Sequence, residues 1–142
     1  NPPQRMVLMI QKEVAQRIIA KPPRSNLLAI SVQFYADAKI IGYVNKESFW
    51  PRPKVDAAII KIVHKKATVF RRSLEKQQFF KIVKAGFSQP RKQLAGNLSK
   101  NLNIPKEKII LIFKDLNISE QIRAENLNLE QWQNLAFKLK FK

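Results

Sequence analysis

Phe49-Trp50-Pro51-Arg52-Pro53-Lys54-Val55-Asp56 is the stretch whose reading decides the architecture. Two prolines at alternate positions rule out a helix here and remove two backbone donors. Each proline also drives the residue before it toward an extended conformation, so Trp50 and Arg52 are expected to be held straight. Two bulky rings, Phe49 and Trp50, sit at the front, and behind them residues 55–63 (VDAAIIKIV) read as a strand. The expected result is a stiff, aromatic-tipped arm entering a sheet. Such an arm suits stacking on a flat ligand, because little loop entropy is lost on binding. The same residues also read as a rigid loop whose rings cap a core, since aromatics are usually packing residues.

Working back from the arm, residues 39–44 read as a short strand with Gly42 as its weak point. Before it, Leu28, Val32 and Tyr35 share one side of a helix that Ser25 or Asn26 can cap. Residues 11–20 form an earlier helix with Val14 and Ile18 on one face, ended by Pro22-Pro23. Met6-Val7-Leu8-Met9-Ile10 is a continuous apolar run of the kind found in a strand buried on both faces of a parallel sheet. Too few other strands follow to cover it, so an N-terminal portion is expected to be missing. The order strand, two helices, strand, arm, strand is the back half of an α/β sheet.

Working forward, strand signals stop near residues 64–68, dividing the chain into an α/β part, 1–66, and a helical part, 67–142. His64 is the only histidine and has no acidic or cysteine partner nearby in sequence, so it reads as a surface residue. Ser73 can cap a helix carrying Phe79, Phe80, Val83 and Phe87, with Lys76, Lys81 and Lys84 on it. Ser88 can cap a second helix, with Pro90 tolerated in its first turn. In that helix Leu94 and Leu98 form an apolar i, i+4 pair, and Arg91, Lys92 and Lys100 stay polar. Pro105 starts a third helix with Ile109, Ile112, Phe113 and Leu116, and residues 119–124 read as a short turn or helix. Asn128, three before Gln131, resembles a capping box. It opens a last helix with Trp132, Leu135, Ala136 and Leu139 on one stripe.

Composition narrows the function. The chain has 142 residues, 45% of them apolar, enough for a real core. It has no cysteine, which excludes disulfide and zinc-cysteine frameworks. No apolar run approaches the length of a membrane span. Twenty-seven basic residues against ten acidic ones give a net charge of +17, which implies a polyanionic partner, nucleic acid ahead of acidic membrane. A proteome rich in lysine, colouring every surface basic, is the competing account. Gly42, Gly86 and Gly96 are the only glycines, and none belongs to a glycine-rich turn after a strand, so no dinucleotide or phosphate-cradling fingerprint is present. No His/Cys/Asp/Glu cluster has metal-ligand spacing, no nucleophile sits in an elbow, and Glu13 and Asp56 are isolated carboxylates. Taken alone, the chain carries no complete active site.

Five stretches in order resemble the ribosomal RNA adenine N6-dimethyltransferases. They are residues 6–17 (MVLMIQKEVAQR), 28–37 (LAISVQFYAD), 49–58 (FWPRPKVDAA), 87–94 (FSQPRKQL) and 123–127 (RAENL). The spacing is most similar to the enzymes that dimethylate two neighbouring adenosines near the end of small-subunit rRNA. The resemblance implies a Rossmann-like methyltransferase domain using S-adenosylmethionine, followed by a helical RNA-binding domain. It also implies a cytoplasmic or organellar monomer that acts on small-subunit rRNA in the assembling ribosomal subunit and meets no membrane. The family's glycine-rich loop and its catalytic Asn-Leu/Ile-Pro-Tyr segment lie upstream of everything here. Asn1-Pro2-Pro3 is not that segment, because it abuts the first strand without an intervening helix. This chain therefore looks like the C-terminal half, with no catalytic, cofactor or metal residues of its own. By motif, Phe49 stacks on the flipped adenine, and Pro51 and Pro53 complete that wall of the pocket. Arg52, Lys54, Lys81, Lys84, Arg91, Lys92 and Lys100 are the candidate RNA contacts. Pro90 stands where the family often has arginine, and Ala95-Gly96 stand where a basic or polar pair is common. Two other classes compete: a non-catalytic RNA- or DNA-binding module, and a ribosome assembly factor without chemistry.

Overall fold

The computed structural model describes residues 2–66, 70 and 72–139. Asn1, Ala67 and Thr68, on which parts of the sequence reading fall, lie outside them. The chain divides into two compact units, Asn1–Ala20 with Leu28–Thr68, and Lys21–Leu27 with Val69–Lys142. Lys21–Leu27 belongs with the helical unit, not with the residues on either side of it in sequence. The Ser25 N–H donates to the Glu125 carbonyl at 3.1 Å, which ties that segment to the far end of the chain.

The first unit is α/β. It comprises β1 (Arg5–Gln11), α1 (Lys12–Ile18), α2 (Leu27–Tyr35), β2 (Ala36–Val44) and β3 (Ala57–His64). The strand order is β1-β3-β2, with both pairings antiparallel. The one pairing described for β1 is thus antiparallel, where a parallel neighbour was expected. Only one edge of β1 is paired among the described residues, and its side chains from Met6 to Met9 are exposed. An apolar run reports a strand's composition, but its direction and cover are set by neighbours distant in sequence. Met6, Leu8 and Ile10 lie opposite Ile62, Ile60 and Ala58, so they share the face on which the core sits. That core packs Ala58, Ile60 and Ile62 against Ala15 and Ile18 of α1, with Leu28 and Val32 of α2 closing over it. Gly42 coincides with a break in register between β2 and β3 after Ile40, as a glycine inside a strand leads one to expect.

The second unit is all-helical: α3 (Ser73–Gly86), α4 (Leu94–Leu102), α5 (Lys106–Asp115) and α6 (Leu129–Lys138). Trp132, Phe79, Phe113, Leu94 and Leu98 are fully buried in its core. Asn117 takes φ 55 after α5, and the Ile118 N–H returns to the Phe113 carbonyl at 2.8 Å, the six-to-one bond of a Schellman end. Asn103 ends α4 in the same left-handed conformation. The capping box of α6 forms as read: the Gln131 N–H donates to Asn128 Oδ1 at 2.8 Å and the Asn128 N–H to Gln131 Oε1 at 2.9 Å.

Two starts differ from the sequence reading. α3 is preceded by Arg72, whose N–H donates to Glu75 Oε2 at 3.3 Å, and Ser73 is already its first residue. α4 does not begin at Ser88. The Lys92 N–H closes on the Gln89 carbonyl at 3.0 Å, so residues 89–92 form a turn with Pro90 at its second position, where proline is favoured. The helix starts only at Leu94.

Candidate nucleic-acid interface

Two concave surfaces hold most of the expected site residues, one in each unit. In the α/β unit, the arm does not run straight. Its backbone bends at residues 49–51 and again at 54–55, which corrects the straight geometry expected at Trp50, while no bend falls at Arg52. Alternate prolines stiffen a chain without dictating its direction. The bends carry Phe49, Pro51 and Pro53 against Met9, Ile10 and Gln11 at the end of β1, around a cleft of about 360 Å³. Phe49 is half-buried, whereas Trp50 is 97% exposed at the rim of the same cleft.

Asp56 fixes the base of this arm. Its Oδ1 accepts the Lys46 N–H at 2.9 Å, and its carbonyl accepts the Lys12 N–H at 3.0 Å. One residue thus joins the short 3-10 turn Lys46–Ser48, the arm and the start of α1. The carboxylate that looked isolated in sequence is a structural clamp. A hydrogen bond to a charged group is worth about 1.5–3 kcal/mol. Asp56→Ala is therefore expected to speed amide exchange at Lys46 and cleavage within residues 46–56, with little effect on the helical unit. Unchanged exchange at Lys46 would show that the arm is held by other contacts.

Arg52 and Lys54 line no part of the cleft. Arg52 pairs with Glu47 at 3.2 Å with both side chains exposed, an interaction worth about 0–1 kcal/mol. His64 is half-buried at the end of β3, its N–H bonded to the Gln4 carbonyl at 3.0 Å.

In the helical unit, Arg91, Lys92 and Lys100 come together around a cleft of about 610 Å³. Buried Asn97 builds one side of it. Its Nδ2 donates to the Gly86 carbonyl at 2.8 Å and the Gln89 carbonyl at 2.9 Å, pinning the 86–89 turn to α4. The other side comes from residues distant in sequence. The Leu94 N–H, at the open start of α4, donates to the Ile122 carbonyl at 2.8 Å, which sets Gln121 and Arg123 beside Gln93 and Gly96. Arg123 was quoted above only as part of the 123–127 stretch and given no role. Nothing in the linear sequence joins it to Arg91. Lys81 and Lys84 are exposed on α3 and line no part of this cleft. Among the described residues, no group of three acidic or histidine side chains is placed to hold a metal, and no helix is long and apolar enough to cross a membrane.

Known proteins resemble this arrangement along nearly its whole length. The chain is 39% identical over 134 residues to the ribosomal RNA small subunit methyltransferase A of Dehalococcoides mccartyi (strain CBDB1), covering 94% of this chain and 46% of that protein. It is 44% identical over 133 residues to the protein of the same description from Onion yellows phytoplasma (strain OY-M), covering 92% and 48%. A crystal structure of a dimethyladenosine transferase from Plasmodium falciparum matches with a TM-score of 0.75 at 26% identity, over 93% of this chain and 55% of that one. The chain spans about half the length of the curated relatives it matches. Residues 1–140 match the model of the ribosomal RNA adenine dimethylase family, and the chain belongs to that family.

Proposed function

We propose that this chain is the C-terminal half of an S-adenosylmethionine-dependent rRNA adenine dimethyltransferase. In its full-length form that enzyme methylates two adjacent adenosines near the 3′ end of small-subunit rRNA, as a monomer, during ribosome assembly. The compartment is the one that houses the ribosome, cytoplasmic or organellar. The observation that carries the reading is the cleft between the proline-stiffened arm and the end of β1, with half-buried Phe49 on its wall. An adenine amine cannot be reached inside a base stack, so the target base is extruded and held flat. An aromatic face contributes about 1–3 kcal/mol per stacked base. Pro51 and Pro53 restrict the arm, so little entropy is lost when the base docks.

The cofactor, which brings the methyl group when bound, does not fit the residues present. Gly42 lies inside β2, Gly86 ends α3 and Gly96 lies inside α4, so none of the three makes the turn after a strand that a cofactor cradle uses. The outer edge of β1 has no strand partner among the described residues, and Met6, Val7, Leu8 and Met9 are exposed along it. A strand from the rest of the longer protein would pair that edge, and that rest would hold the cofactor. RNA contact is assigned to Arg91, Lys92 and Lys100, with Arg52, Lys54, Lys81 and Lys84 as further basic positions on the described surface.

The test is to incubate the full-length protein with S-adenosylmethionine and undermethylated small ribosomal subunits, and to read the rRNA by mass spectrometry. Dimethyladenosine at two adjacent positions is expected, and an unmodified rRNA would reject the reading. Calorimetry on residues 1–142 alone is expected to detect no cofactor binding. Micromolar binding there would move the cofactor site into this chain.

A further inference from the structure

We propose that the cleft of the helical unit receives a single unpaired nucleotide of RNA, with Arg123 and Arg91 on its phosphate and glutamine side chains on its base edge. This rests on the reading of the chain as an rRNA-binding protein and adds what that surface selects. The cleft has about 610 Å³ of room, within the ~300–1,000 Å³ range of small-molecule pockets. Four cations border it: Arg91, Lys92, Lys100 and Arg123. None of the four forms an ion pair with a carboxylate among the described residues. Arginine suits phosphate because its planar fork bonds two oxygens at once.

Gln89, Gln93 and Gln121 also line the cleft, all exposed, with side-chain amides that take no partner among the described residues. Each amide carries both donors and an acceptor, the complement of a nucleobase edge. No aromatic ring lines the cleft, so the base would be held by its edge and not by stacking.

Gly96 is the second observation. It lies inside α4, where glycine weakens a helix relative to alanine. Its φ is not positive, and a Cβ added there meets nothing within 4 Å. Neither backbone geometry nor packing within the protein calls for a glycine at this position. What its missing side chain leaves open is the cleft itself.

The experiment compares two RNA hairpins of equal length, one fully paired and one with a single-nucleotide bulge, for binding to the full chain. Gly96→Leu fills the cleft without changing charge, and its melting temperature is expected to hold or rise. Arg123→Gln serves as the second variant, since its position is exposed and outside any helix. Each is expected to weaken binding of the bulged hairpin roughly tenfold and to leave the paired hairpin within about twofold. Equal loss on both hairpins would overturn the proposal in favour of a surface that tracks the backbone. No loss on either would remove the cleft from RNA contact altogether. Failure of the unaltered chain to bind either hairpin would overturn the RNA-binding reading itself.

Discussion

Phe49→Ala in the full-length protein is expected, on the proposed methyltransferase function, to lower methyl transfer to rRNA by roughly ten- to a hundredfold, with a small loss of stability. The rate follows from losing a stacking face worth about 1–3 kcal/mol, at about 1.4 kcal/mol per decade. The stability follows from burial. A fully buried Phe→Ala costs about 3–5 kcal/mol, and Phe49 is only half-covered, so the cost falls below that range. Trp50→Ala is the control. At 97% exposure it supports no core contact, and the bend at residues 49–51 leaves it on the rim of the cleft. It is expected to melt with the parent protein and to lose less activity than Phe49→Ala. Melting temperature and methylation rate measured together separate the readings. If Phe49→Ala mainly unfolds the protein, or leaves the rate intact, the arm is packing and the stacking role fails.

Enlarging Gly86 is expected to be the most damaging change in the helical unit. A Cβ at this position would drive into the ring of Trp132 and come within 2.8 Å of Leu94 Cδ1. Trp132 and Leu94 are both fully buried, so neither can move aside without disturbing the core. Overpacking of this kind costs about 1–3 kcal/mol for one added group, and Gly86→Val adds more than one. The site depends on the same contact. The Gly86 carbonyl accepts from Asn97 Nδ2, so displacing α3 from α4 would also loosen the turn that carries Arg91. The Trp132 indole N–H has no acceptor among the described residues, so replacing the indole by a phenyl ring removes no hydrogen bond. Accordingly, Gly86→Ala should lower the melting temperature by several degrees, and combining it with Trp132→Phe should recover part of the loss. Wild-type stability for Gly86→Ala alone would mean that the α3–α6 contact yields more readily than its packing implies.

Much of this protein was legible before any coordinates. Pro105 and the Asn128/Gln131 pair act through their own backbone and near neighbours, and each marks a helix start within a residue, whereas α1 ends at Ile18, well short of Pro22-Pro23. Gly42 marked the irregular point of β2 for the same local reason. The net charge of +17 pointed to a polyanion because charge adds up regardless of fold. The ordered motifs from residue 6 to 127 pointed to the family to which the chain belongs.

The rest needed long-range contacts. The apolar run of β1 reads the same whether its neighbour is parallel or antiparallel, and only the Leu8–Ile60 register fixed its direction. Ser88 read as the cap of the second helix, and α4 starts instead at Leu94. The Gln89–Lys92 turn and the Ile122 carbonyl on the Leu94 N–H set that later start. Asp56 became a clamp only when folding brought the Lys46 amide to it. Arg123 and Gln121 reach the basic cleft through one backbone bond from a turn far along the chain, with no periodicity to announce it. Local signals marked the starts of α5 and α6, because caps and prolines act within a few residues. Which side chains share a cleft was decided by packing, because that depends on contacts a linear pattern does not encode.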